Sequence, residues 1–199
     1  LAFKNISFEG EYCSMTNGIR CTTDTQSGAP KVRVFILGAS TVFCIEVPDD
    51  LTISSYLQRL INLTHDGIKV LNYGMPGATV VDRCRMLIDF KEIRENDILV
   101  FYFGGADAGW QDHRSGKLSQ QLIPLPIRAL RGLSDLGLET ARWLYIELSP
   151  IAFGKFSNIA VSDTIEALTN FKLFCLDKGA QMLAVLQPNI YTMQTKTDY

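Results

Sequence analysis

The run Val34-Phe35-Ile36-Leu37 passes without a charge into Gly38-Ala39-Ser40-Thr41. A serine hydroxyl set where a buried strand breaks open can fix a turn, cradle a phosphate or attack as a nucleophile. Two further apolar runs end in glycine. Asn72-Tyr73-Gly74-Met75-Pro76-Gly77 closes one, and Gly104-Gly105-Ala106-Asp107 closes the other. Glycines at such exits let backbone N–H groups come close to a ligand. A fourth exit, Gln187-Pro188-Asn189, has no glycine. The chain has 2 histidines, His65 and His113. His65 precedes the second run and reads as a surface or loop residue on the far rim. His113 follows Asp107 on the near rim beside Asp112; it reads either as a base within reach of the exits or as a solvated loop residue.

The elements that must position these residues are legible as an alternation. From Lys31 onward strand and helix signals take turns, the pattern of a parallel sheet covered on both faces. Strands are predicted over 31–37, 68–73, 97–103 and 181–187. In such a doubly wound sheet the ligand site lies beyond the carboxyl ends of the strands, which is where all four exits fall. A helix over 48–62 opens on Pro48 and two acids and sets Ile53, Leu57, Leu60 and Ile61 on one stripe. A second follows Thr79, with Asp82 placed as in a capping box and Val80, Val81, Cys84, Leu87 and Ile88 at helical spacing. A third over 158–179 carries Val161, Ile165, Leu168 and Cys175 and stops at Gly179. Residues 1–30 are polar and turn-rich, a hairpin or arm laid against the core. Residues 110–157 break the alternation, either as a helical lid over the open edge of the sheet or as a helical pair that completes the core.

Bulk properties narrow the function classes. A chain of 199 residues suits a single domain, 1–199. A charged share of 20% and a net charge of −2 leave no basic excess, so no nucleic acid footprint is expected and small neutral or polar partners fit better. No apolar run approaches the roughly 18 residues of a membrane span, so a soluble chain is expected. It begins at Leu1, so a targeting segment is expected to be trimmed or absent. The 5 cysteines show no zinc-ligand spacing, and neither metal nor cofactor is expected. Cys44, Cys84 and Cys175 read as small buried hydrophobes. Cys13 and Cys21 flank a hairpin signal. A three-residue loop Thr16-Asn17-Gly18 would set them opposite each other, whereas a two-residue Asn17-Gly18 turn would put them on opposite faces and forbid a bridge. The glycosylation triplets at Asn5 and Asn62 are short enough to arise by chance.

The blocks VFILGAST, VLNYGMPGAT and DILVFYFGGAD, in that order and at strand exits, resemble the first three signature blocks of the SGNH (GDSL-like) hydrolases. That superfamily contains esterases, lipases and carbohydrate deacetylases. The resemblance spans about 31–110 and continues more weakly to Pro188. It implies an α/β, three-layer flavodoxin-like parallel sheet with Ser40 as nucleophile. The backbone N–H groups of Ser40 and Gly77 would then hold the oxyanion, Ser40 being helped by the dipole of a helix that begins there. Two departures stand out. The family's third block has an asparagine where this chain has Ala106, which donates nothing; Asp107 keeps the aspartate, as a loop-fixing acceptor. The family's base is a histidine in an Asp-x-x-His block after a fifth strand, and neither is present; Asp198 follows the fourth strand too early for that block. The chain is therefore expected to be the amino-terminal portion of a longer hydrolase, truncated at its C-terminus, or a degenerate relative. The implied function is ester hydrolysis that removes acyl or acetyl groups from a carbohydrate or small ester. The alternative is a binding domain on the same scaffold. A third reading, phosphate cradling in the manner of a flavodoxin, meets a loop shorter and less hydroxyl-rich than such loops usually are.

Overall fold

The computed structural model describes residues 6–88, 93–104 and 157–186, and of 157–161 the backbone alone. Leu1–Asp107 with Glu166–Tyr199 makes one compact unit and Ala108–Ile165 a second; the sheet and every site residue discussed below belong to the first. Outside the described residues lie Gly105, Ala106, Asp107, Asp112, His113, the rest of the predicted insertion before residue 157, the fourth exit, and Asp198.

Long apolar runs make strands because both of their faces can be covered. Six strands are described: β1 (Met15–Thr16), β2 (Ile19–Arg20), β3 (Val32–Gly38), β4 (Ile68–Gly74), β5 (Ile98–Phe103) and β6 (Gln181–Leu186), in the spatial order β1-β2-β4-β3-β5-β6. The last four are parallel, in the 2-1-3-4 order of a flavodoxin-like sheet. The amino-terminal hairpin extends this sheet, β2 pairing antiparallel with β4 at Arg20 and Asn72. Its turn is the two-residue Asn17-Gly18, with φ of 52° and 78°, which fits the mirror-image geometry that hairpins favour. Cys21 N–H donates to Ser14 O at 2.9 Å, so Cys13 is not its cross-strand partner, and both thiols are free.

Four helices are described: α1 (Ser40–Phe43), α2 (Ile53–Asn62), α3 (Val80–Ile88) and α4 (Ser157–Asp177). Leu57 and Ile61 of α2 pack with Val34, Ile36, Val42 and Val70 on one face of the sheet. On the other, Val80, Cys84 and Leu87 of α3 and Phe171 and Cys175 of α4 pack with Phe35, Leu37, Tyr73 and Phe101. The face changes where the winding reverses at β3, as a constant crossover handedness requires.

Three helices depart from their expected faces. In α2 the stripe Ile53, Leu57, Leu60, Ile61 is only half used: Leu57 and Ile61 pack, but Ile53 and Leu60 are exposed, and the fully buried side chains are Thr52, Ser54, Ser55 and Gln58. The reason lies at the edge of β4. The Gln58 amide accepts from Val70 N–H at 2.7 Å and donates to Ile68 O at 3.0 Å, taking the place of a neighbouring strand. Hydrogen-bonding that edge outweighs burying two more apolar side chains. The helix also starts later than predicted. Pro48 leads into a 3₁₀ turn, Asp49–Leu51, and Thr52 caps α2 by accepting from Ser55 N–H at 3.2 Å. In α3 Val80, Cys84 and Leu87 are buried as expected, but Ile88 is exposed and Arg83 is buried. In α4, Leu168 and Cys175 pack as expected but Ile165 is exposed.

Candidate active site

Ser40 is exposed at the first position of α1, two residues beyond the end of β3. Among the described residues its hydroxyl has no hydrogen-bond partner. The helix behind it is a single turn. Cys44 closes it in the left-handed conformation, with φ 60° and ψ 51°, and donates to Ser40 O at 2.6 Å. This corrects the expectation of a helix dipole at Ser40, because one turn aligns too few peptides to build one. The unpaired first-turn N–H groups are what remains. Cys44 is likewise a half-buried cap rather than a core residue inside a helix.

Two buried polar side chains fix that turn. Asn72 donates to Val42 O at 2.9 Å and accepts from Gly74 N–H at 3.0 Å, tying α1 to the exit of β4. Arg20, fully buried, donates to Phe43 O at 2.6 Å, to Cys44 O, to Val47 O at 2.6 Å and, through Nε, to Asp49 Oδ1 at 2.7 Å. Its guanidinium therefore holds the whole return from α1 to the 3₁₀ turn. The two exits are also joined directly, Met75 N–H donating to Gly38 O at 2.9 Å. Gly74 permits this closeness: a Cβ there would lie 2.1 Å from Phe43 N.

Gly77 occupies the turn after β4. Ala78 N–H donates to Met75 O at 3.2 Å, and Gly77 has φ of 72° behind Pro76, the residue pattern of a type II turn. Among the described residues no atom beyond its chain neighbours lies within 4 Å of where its Cβ would be. Beyond the turn the predicted capping box forms, Thr79 N–H donating to Asp82 Oδ2 at 3.0 Å and Asp82 N–H to Thr79 Oγ1 at 3.2 Å.

Ser40 and Gly77 thus stand on the exits of adjacent strands joined by a backbone hydrogen bond. Of the third exit only Gly104, buried just after β5, is described. His65 is exposed between α2 and β4, with Nδ1 2.7 Å from Thr64 Oγ1, on the far rim as expected. Among the described residues no histidine or carboxylate is hydrogen-bonded to Ser40. Sequence reasoning missed Arg20 and Asn72 as positioning residues. Asn72 had a signal, an amide inside an apolar run. Arg20 had none, since most of its partners lie 23 to 29 residues away.

No protein-family model matches the chain, and no curated protein matches it. Among solved structures it is similar to an esterase of the SGNH-hydrolase family (12% identity, 66% of this chain and 75% of that one covered, TM-score 0.33). It is similar also to a psychrotrophic esterase from Pseudoalteromonas sp. (14%, 77% and 76%, 0.38) and to an acetyl xylan esterase from Geobacillus stearothermophilus (15%, 77% and 76%, 0.36). The fold itself rests on the strand order and the two covered faces of the sheet.

Proposed function

We propose that this chain carries an acyl-ester hydrolase site of SGNH type with Ser40 as nucleophile, acting on acyl or acetyl esters of a carbohydrate or small alcohol. One observation carries the reading: an exposed serine hydroxyl, without a partner among the described residues, on the turn after the strand where the winding reverses, its loop hydrogen-bonded to the next strand's exit. The order of the three sequence blocks supports it. Ser40 Oγ adds to the acyl carbon while the N–H groups of Ser40 and Gly77 hold the developing oxyanion. The bond to the alcohol breaks, and the alcohol leaves with the serine proton. Water then adds to the acyl-serine, releasing the acid and restoring the hydroxyl. In the sequence pattern Ala106 replaces the family's asparagine, a third oxyanion donor, and one such donor is worth roughly a hundredfold to a thousandfold in turnover. The expected enzyme is therefore slow.

Ala106 also favours the second reading, a binding domain that does not hydrolyse. A fluorophosphonate probe separates the two. Stoichiometric labelling, lost in Ser40→Ala and mapped to the Ser40 peptide by mass spectrometry, is the expected result. A chain that stays unlabelled while still binding acylated sugars would make it a binder.

A further inference from the structure

The opposite rim of the sheet carries a second concave site. A cavity of about 340 Å³ opens there, lined by Lys31, Arg33, Lys69, Arg94, Glu95 and Asp97 together with three uncharged residues. Arg33 and Lys69 are register partners on β3 and β4, so two cations share one face at adjacent positions. Strands in a sheet lie about 4.8 Å apart, and like charges directly opposite are destabilising unless something neutralises them.

Asp97 neutralises Arg33 and is then used up. Its Oδ1 accepts from Arg33 Nε at 2.9 Å, and its Oδ2 accepts from Arg33 Nη2 at 2.5 Å and from Arg94 N–H at 2.7 Å. Glu95 lies with its stem against the turn at Gly179, where a Cβ would meet its Cγ at 3.0 Å. The Lys31 stem lies across Gly67, with Cγ and Cδ 3.3 Å from where a Cβ would be. Among the described residues Lys31, Lys69 and Arg94 have no ion pair. Three cations thus approach the cavity from the lead into β3, from β4 itself and from the turn before β5. Among the described residues four cations and two carboxylates line it, an excess of two positive charges in a chain whose net charge is −2.

We propose that this cavity binds a tetrahedral dianion, a phosphate or sulfate group, either free or as the head of a small monoester. A dianion matches the charge excess, and lysine and arginine donors from three sides match its oxygens. The volume falls in the range of small-molecule sites and exceeds what a bare anion needs, so it has room for the group that carries the anion. This site lies at the end of the sheet away from Ser40 and does not depend on the hydrolase reading.

The test is calorimetric titration of the full chain at low ionic strength with inorganic phosphate, with sulfate, and with glycerol 2-phosphate, against sodium chloride at matched ionic strength. One saturable site for the dianions is expected, unchanged in Ser40→Ala and weakened at least tenfold in Lys69→Gln and in Arg94→Gln. Arg94 is exposed on a turn, so its variant carries the test even where Lys69→Gln fails to fold. Affinity for glycerol 2-phosphate at least tenfold above phosphate identifies a monoester; equal affinity identifies the free anion. Chloride acting as well as phosphate, or an affinity that Arg94→Gln leaves intact, overturns the proposal.

Discussion

On the proposed reading, function and stability come apart at Ser40. Its side chain is exposed and makes no hydrogen bond among the described residues, so removing the hydroxyl leaves packing untouched. Ser40→Ala is expected to lower hydrolysis of 4-nitrophenyl acetate by at least about a thousandfold, as loss of an attacking group does, while the urea midpoint shifts by no more than about 0.5 kcal/mol in stability. Asn72 is the converse case. Replacing it by leucine leaves Val42 O and Gly74 N–H buried without the partner each now has. Each such orphan costs about 1–3 kcal/mol, so Asn72→Leu is expected to lose about 2–4 kcal/mol in urea unfolding and, by loosening α1, to lower kcat more than it raises KM. The two residues also differ in legibility. The positions of Ser40 and Gly77 at strand exits could be read because such exits announce themselves, an uncharged run followed by small residues. Asn72 was visible only as an oddity inside a strand, and Arg20 not at all, because the carbonyls it gathers come together only in the folded chain.

At the scale of elements the parallel strands were read correctly to within a residue or two, since a strand buried on both faces has to be apolar throughout. Amphipathic periodicity served less well in α2. The pattern of Ile53, Leu57, Leu60 and Ile61 is a real stripe, but periodicity records only that a helix has two sides and does not say which one a free strand edge needs. Gln58 decides the matter by bonding both Val70 N–H and Ile68 O. Gln58→Leu, which adds apolar surface at a fully buried position, is therefore expected to destabilise by about 2–4 kcal/mol through two orphaned backbone groups. Leu60→Lys, which removes a residue from the predicted apolar stripe, is expected to change stability by less than about 0.5 kcal/mol. Paired urea titrations check both; the reverse ranking would mean that α2 packs by its apolar stripe after all.

For the whole molecule, the winding could be foreseen in kind from the alternation of elements, yet not in the order of strands, because β4, β3 and β5 become neighbours only through crossovers of fixed hand. The core that those crossovers enclose sets how stability responds to alkali. Cys84 on α3 and Cys175 on α4 are both buried in it, and burial pushes their thiols up from 9.0 to about 12 and about 11. The unfolded chain gives up these protons near pH 9 while the native chain keeps them. The stabilisation is thus fully present below pH 9 and is lost as pH rises through the native values, at a limiting slope of about 1.4 kcal/mol per pH unit for each thiol. Arg83 works in the opposite sense. It is buried, its Nε without a partner among the described residues, and burial lowers it from the ordinary guanidinium range to about 10, so its penalty is relieved as pH climbs above 10. Unfolding free energy is accordingly expected to drop by about 2 kcal/mol between pH 9 and 10 and to fall at roughly half that slope from 10 to 11. Urea titrations under reductant at half-unit steps check the profile. In Cys84→Ala/Cys175→Ala the fall above pH 9 should shrink, and in Arg83→Met the break at pH 10 should vanish. A profile that stays flat from pH 8 to 10 would mean that both thiols ionise in the native chain, and that the seam between α3, α4 and the sheet admits water.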